Sequence, residues 1–377
     1  MNILITGGAG FIGSNLALGL IKKNYNVTVF DNLSKQIHGD NPYQSPLFLS
    51  IRDKVNFIEG DITNRTHLAA ALKDQDVIIH YAAETGTGQS MYEIEKYCNV
   101  NINGTAILLD LITNNKNFKV KKIIVASSRS IYGEGKYRNI NGEILYPDSR
   151  KEENLAIGDF NVKCPNTKTN AELMPTDENS RIHPSSIYGI TKQNQEQMVL
   201  TVGKALNIPA IAFRYQNVYG PGQSLSNPYT GILSIFSTLI KNGKDINVFE
   251  DGKESRDFVF IDDVVNATIL GVEDKELRWN SYNVGSGIAT DVLTVANSLK
   301  RLYNSDVAVN VTGNYRLGDI RHNFADLTLI KKDLGFQPAF NFEKGIMLFV
   351  NWVNKQEVQV SRLEESLVEM KLKGLYK

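Results

Sequence analysis

The sequence predicts an α/β fold, a doubly wound parallel sheet followed by a smaller C-terminal unit. Three observations lead there. The chain opens on a short apolar strand, a glycine-rich turn and an apolar helical stretch. Further apolar runs of strand length alternate with helical stretches, the pattern of parallel strands joined by right-handed crossovers. From Ser226 onwards the pattern changes to shorter strands, turns and helices, which marks a second unit.

The length of 377 residues suits one large α/β domain with an insertion, or two domains. Lys plus Arg and Asp plus Glu are equal at 41 each, so nothing suggests nucleic acid or a membrane surface as partner. No apolar run approaches the ~20 residues of a membrane span. Met1 leads straight into a strand pattern with no visible signal peptide, so a cytoplasmic location is expected. Cys98, Cys164 and the 5 scattered His make neither a disulfide framework nor a metal site.

Asn2 to Thr6 is the opening strand, and Gly7, Gly10 and Gly13 punctuate the turn into the helix from Ser14 to Ile21. Strand, glycine turn and helix N-terminus are the physical requirements of a pyrophosphate site. Gly7 and Gly10 allow the backbone to turn and approach phosphate, and Gly13 allows helix to pack on strand. The next strand, Val27 to Phe30, ends in Asp31. An acid there holds a ribose 2′-hydroxyl and repels a 2′-phosphate, which favours NAD over NADP; capping the following loop is the plainer role. Val55 to Ile58 is a third strand, with Asp61 near the adenine end. Asp76 to His80 is a fourth, and the small Ala82 and Ala83 beyond it suit backbone beneath a dinucleotide. Met91 to Asn115 contains Asn101 and a helical face. Val120 to Ala126 is a fifth strand, ending in Ser127 and Ser128, where open α/β sheets bind ligands.

Residues 136–184 are polar and irregular, with prolines at 147, 165, 175 and 184. They read as a long excursion, either a lid or oligomer contact or a disordered stretch. Beyond them Tyr188 and Lys192 stand four apart at a helix start, so they share one face. A phenol is a weak base, with a free pKa of about 10. A neighbouring ammonium and the positive ring of an oxidised nicotinamide would favour the phenolate, suiting it to take a proton from a hydroxyl as hydride leaves the same carbon. A plain exposed pair is the alternative.

Ile208 to Phe213 is the sixth strand, followed by Arg214 and Asn217. The second unit holds a helix from Ile232 to Lys241, the strand opened by Arg256 and Asp257, and a helix from Asp291 to Tyr303. Arg256 begins an apolar strand, so its guanidinium calls for an anion, either Asp257 or a bound diphosphate. Residues 357–377 carry Val358, Leu363, Leu367 and Met370 at helical spacing, a terminal helix packed on the body or on a partner.

Taken together, the turn from Thr6 to Gly13, Asp31, Asp61, Ser127 and Ser128, Tyr188 with Lys192, Asn217 to Pro221, and Arg256 with Asp257 resemble the extended short-chain dehydrogenase/reductases, specifically the nucleotide-sugar epimerase and dehydratase branch. The resemblance runs to about Trp352. It implies a Rossmann-type sheet of about seven strands over residues 1–213, with a strand near 257–261 returning to it. A substrate domain over 214–355 and a helical tail over 356–377 complete the expected organisation. It implies Tyr188 as base, Lys192 as its electrostatic partner and ribose ligand, and Ser128 as hydrogen-bond partner of the reacting hydroxyl. NAD would be held by Gly7, Gly10, Phe11, Ile12, Gly13, Asp31, Asn32, Asp61, Ile62, Ala82, Ala83, Asn101 and Ser127, with Tyr188 and Lys192. A dTDP- or UDP-linked sugar would be held by Glu84, Ser128, Arg129, Asn217, Arg256, Arg316 and Asp319. A homodimer formed through two helices of each subunit is also implied.

Dehydratases of that branch place Asp and Glu after the Ser or Thr; here Arg129 and Ser130 stand there, which argues against dehydration. A reductase would draw on NADPH, which Asp31 disfavours. A 4-epimerase needs one base and a retained cofactor, so that is the expected reaction. The stretches Glu84 to Glu93, Ser130 to Gly135, Ser226 to Gly231 and Gly318 to His322 are similar to the group acting on dTDP-L-rhamnose and dTDP-6-deoxy-L-talose. Arg129 departs from that group: it would favour a carboxylated sugar or salt-bridge outward to the lid, and it keeps UDP-hexose and UDP-uronic acid as alternatives. A non-catalytic NAD sensor or RNA-associated module is the reading from another class.

Overall fold

A computed structural model describes every residue except 228, 230 and 362. Pro228 and Thr230, within the Ser226 to Gly231 stretch singled out above, therefore lie outside the described residues. The central sheet comprises Asn2–Thr6 (β1), Asn26–Asp31 (β2), Asn56–Glu59 (β3), Val77–His80 (β4), Lys122–Ser128 (β5), Ala210–Tyr215 (β6) and Trp279–Val284 (β7). Its seven strands run in the order β7-β6-β5-β4-β1-β2-β3, each pair parallel. The order reverses between β1 and β4, so a crevice opens there at the carboxyl ends of the strands.

Burial on both faces explains the apolar strands. In β1, Ile3 and Ile5 join one core with Leu16 of the helix Phe11–Lys22 (α1), while Leu4 joins the other with Leu108 of Gly104–Asn114 (α2) and Val199 of Ile187–Leu206 (α3). The helix Ile261–Glu273 (α4) lies beside α1, contributing Val264 and Ala267 to the first core.

The strand expected to return to this sheet does not. Ser255–Phe260 pairs instead with Asn217–Tyr219, Ala289–Asp291 and His322–Asn323 in a second sheet, and β7 takes the edge beside β6. Phe258 and Phe260 belong to the second unit's core whereas Val259 packs into the central one. A strand whose two faces serve two cores carries the same apolar pattern as a sheet-interior strand, and α4, which follows it, rejoins the first unit, as β7 does later.

Residues 136–184 are folded, in place of the disordered alternative. Tyr137–Arg138 pairs with Ile144–Leu145 and Glu172–Leu173, and Glu152–Ala156 is a short helix. Leu155 and Phe160 pack with Tyr315, and Arg150 reaches inward to bond Glu250 and the Asp319 carbonyl. The terminal helix is Leu363–Leu372 (α5). Met370 is buried, while Val358, expected on its apolar face, is exposed and precedes it.

Candidate active site

A cavity of about 580 Å³ opens at the crevice and extends to the second sheet. The glycine turn forms one end. Gly7 has φ +68°, and a Cβ there would stand 2.6 Å from the Ala82 nitrogen. A Cβ on Gly13 would stand 2.5 Å from the Gly7 oxygen and 2.6 Å from the Gly8 Cα. These two glycines are therefore demanded by packing. Gly10 is different, since its Cβ would meet only the Gly7 oxygen, at 3.4 Å, and the residue lines the cavity. Gly10 is also the N-cap of α1, where no side chain satisfies the first-turn N–H groups. Open donors at a helix N-terminus, beside a position that leaves room for an approaching group, fit a pyrophosphate.

Asp31 ends β2 with its Oδ2 accepting from Ala9 N (2.9 Å) and its Oδ1 from Leu33 N (2.9 Å). Burial raises its pKa, while those backbone N–H groups oppose the shift. The carboxyl thus ties the glycine turn to the strand end and faces the same cavity as Asn32, Ile62, Ala82 and Ala83. Asp61 lies behind this row, accepting from Asn32 Nδ2 and Thr63, and does not line the cavity. Asn101 does not face the cavity either, contrary to the cofactor contact expected. It is fully buried in a π-helical turn, Cys98–Asn103, with its amide bonded to Glu84 N, Glu84 O and Thr191 Oγ1. It braces the Glu84 loop against α3. Ser127 reaches the cavity wall but spends its hydroxyl on Glu196. Glu84 lines the cavity and pairs with Lys96 at 3.3 Å.

Tyr188 and Lys192 stand on the first turns of α3, whose start is capped by Ser186 accepting from Gly189 N. The Tyr188 ring is held edge-on by Tyr97, with centroids 6.5 Å apart. Burial raises its pKa above the ordinary phenol value, while a Ser128 hydrogen bond and the Arg129 charge oppose the rise. Lys192 lies over the Tyr188 ring. Its Nζ lies 6.0 Å from the ring centroid and donates to the Ala126 carbonyl, and burial presses its pKa to about 7.

Arg129 does not salt-bridge outward to the insertion. It lines the cavity, and its Nε donates to Asn217 Oδ1 at 2.9 Å. Arg256 is not paired with Asp257, whose carboxylate is taken by Ser286, Gly287 and Ala325. Arg316 and Asp319 bond each other, Nε to Oδ2 at 2.8 Å, at the far end of the cavity.

Several residues at the cavity and behind its wall had no local signal. Arg150 is paired with Glu134 and Glu250, and Arg321 with Glu250 and Asp251, a buried network joining the insertion to both units. Leu363 and Met370 of α5 also line the cavity, and Glu369 accepts from Tyr92 and Tyr229, whose hydroxyls meet at 2.7 Å. Amphipathic spacing revealed the helix without revealing its seat.

Glu254 also lines this wall, its buried Oε2 without a hydrogen bond among the described residues and 3.8 Å from Arg321 Nη1, and burial pushes its pKa to about 7. Between its ordinary value of 4.5 and about 7, the folded chain holds a proton that the unfolded chain has released. Stability therefore falls as pH rises through that window. Glu254→Gln is expected to flatten this part of the dependence and to unfold no earlier than wild type near pH 8. An unchanged pH dependence of thermal unfolding would remove Glu254 from the account.

The profile of the NAD dependent epimerase/dehydratase family matches residues 3–153 and 165–285. The chain belongs to this family. It is 36% identical over 357 residues to a dTDP-L-rhamnose 4-epimerase of Burkholderia thailandensis, covering 94% of this chain and 95% of that protein. A crystal structure of Thermotoga maritima UDP-glucose 4-epimerase with UDP-glucose superposes with a TM-score of 0.76 at 29% identity, covering 94% of this chain and 99% of that one. The UDP-glucuronic acid 4-epimerase of Bacillus cereus, in complex with UDP-glucuronic acid and NAD, gives 0.76 at 25% identity with the same coverage. The family member described here is thus an NAD-dependent enzyme, and the open α1 terminus, Asp31 and the Ala82 to Ala83 floor fit that cofactor.

Proposed function

We propose that the chain is a nucleotide-sugar 4-epimerase whose substrate pair is dTDP-L-rhamnose and dTDP-6-deoxy-L-talose, acting as a homodimer. The reaction rests on one arrangement: Ser128 and Tyr188 meet at the cavity end, followed by Arg129 and Ser130 where a dehydratase would place carboxylates. The sugar rests on the likeness to the Burkholderia enzyme.

Tyr188 takes the proton of the sugar 4-hydroxyl, and Ser128 holds that oxygen in line. Bound in this cavity, NAD would supply the hydride acceptor for C4 and a positive ring that favours the phenolate. Tyr188 gives the proton back once the ketone has presented its other face, so the sequence ends with no net proton or electron change. Lys192, which donates to the Ala126 carbonyl, would hold the nicotinamide ribose. Asn217, Arg256 and the Arg316–Asp319 pair line the part of the cavity assigned to the nucleotide diphosphate and its ribose.

Incubation with dTDP-L-rhamnose, UDP-glucose and UDP-glucuronate in parallel tests the assignment. Conversion of the first alone is expected, and conversion of either UDP-sugar in its place would replace the substrate while leaving the reaction. Arg129 is the observation that favours the uronate in that event. Asp31→Ala is expected to weaken NAD binding, because it also frees Ala9 N, and to relax discrimination against NADP. Titration of both cofactors measures this, and an unchanged preference would place ribose recognition elsewhere.

A further inference from the structure

The arginines around the cavity fall into two kinds. Arg150, Arg316 and Arg321 each have a carboxylate within ion-pair distance. Among the described residues, Arg129 and Arg256 have none, although both line the same cavity and the Arg256 charge opposes that of Arg129. Arg256 is already heavily committed: Nη1 donates to the Ser255 and Arg321 carbonyls, and Nη2 to the Ile320 carbonyl. Arg129 has spent only its Nε, on Asn217, and both of its Nη groups remain without an acceptor among the described residues. A guanidinium offers five N–H donors in a fixed fork. The greater share of free donors therefore belongs to Arg129.

Position adds to this. Arg129 follows Ser128 at the end of β5, while Asn217 and Arg256 come from the second sheet. The Arg129–Asn217 bond spans the two units beside the reacting hydroxyl's expected place. Asp319 and Glu134 offset part of both charges from beyond ion-pair distance, and two cations lining one cavity without a direct ion pair among the described residues still favour a further anion. Burial and the Arg256 charge press the Arg129 guanidinium down to about 9.

We propose that Arg129 is a substrate-binding residue forming, with Arg256, a two-guanidinium clamp for an anionic group at the sugar end of the nucleotide sugar, either the sugar-proximal phosphate or a carboxylate on the sugar. The proposal rests on the nucleotide-sugar reading and gives it a specificity determinant.

Calorimetric titration of wild type, Arg129→Gln and Arg129→Lys with dTDP, dTMP, UDP-glucose and UDP-glucuronate tests it without depending on turnover. If the anion is the phosphate, Arg129→Gln loses roughly 10- to 100-fold in dTDP affinity, the range for hydrogen bonds to a charged group, and binds dTMP as wild type does. If the anion is the carboxylate, only UDP-glucuronate weakens. In either case Arg129→Lys falls between, and Arg129→Gln unfolds no earlier than wild type, because an unpaired cation has been removed. Unaltered affinities, or a uniform loss with earlier unfolding, would overturn the clamp. Wild type that binds none of the four would overturn the nucleotide-sugar reading itself, and the clamp with it.

Discussion

Tyr188→Phe is expected to lower turnover by ~10²–10⁴, the range of a lost acid–base group, while NAD stays bound. The ring is seated by Tyr97, and its backbone N–H bonds Ser90 Oγ, so removing the hydroxyl leaves the packing in place. Only the proton acceptor and its Ser128 contact go. Because burial raises the wild-type phenol's pKa, the poise of this base depends on the charges that the loaded site brings to it. Steady-state rates together with the NAD content of the purified variant decide the matter. Near-normal turnover would take Tyr188 out of the mechanism.

The second large effect separates two glycines of one turn. Gly13→Ala places a Cβ against backbone at 2.5 and 2.6 Å, and backbone has little room to yield. Overpacking of this kind costs about 1–3 kcal/mol, and α1 must shift from the strand it packs on. The variant is expected to unfold earlier, to lose NAD and to be inactive. Gly10→Ala meets nothing closer than 3.4 Å, so the fold is expected to keep its thermal stability without cofactor. Its methyl group nevertheless occupies the approach to the α1 N-terminus, and NAD affinity falls. Thermal unfolding and NAD titration on both variants measure the contrast. Equal destabilisation of the two, or full NAD affinity in Gly10→Ala, would mean the turn does not cradle the pyrophosphate.

Much of this site was legible because it is encoded locally. The glycine turn, Asp31 at a strand end, and Tyr188 with Lys192 on one helical face are short-range patterns whose geometry follows from strand and helix periodicity. Asn101 was legible as an important position and misread as to partner, since sequence does not show which way a helical amide turns. The Arg150, Glu250 and Arg321 network was hidden for another reason. Its members lie 100 and 71 positions apart, and isolated charges in polar stretches resemble solvated surface. The Ser255–Phe260 strand was misplaced because two cores ask for the same residue types. The seat of α5 on the cavity followed from no periodicity at all.

The central claim is a hydride that leaves and returns within one enclosed site. Proton NMR of the purified protein with dTDP-L-rhamnose in D₂O, without added NAD, tests it most directly. The account predicts a growing 6-deoxy-talose anomeric signal with no deuterium incorporated at any sugar carbon. Deuterium appearing at a carbon next to C4 would mean enolisation, and would contradict the account.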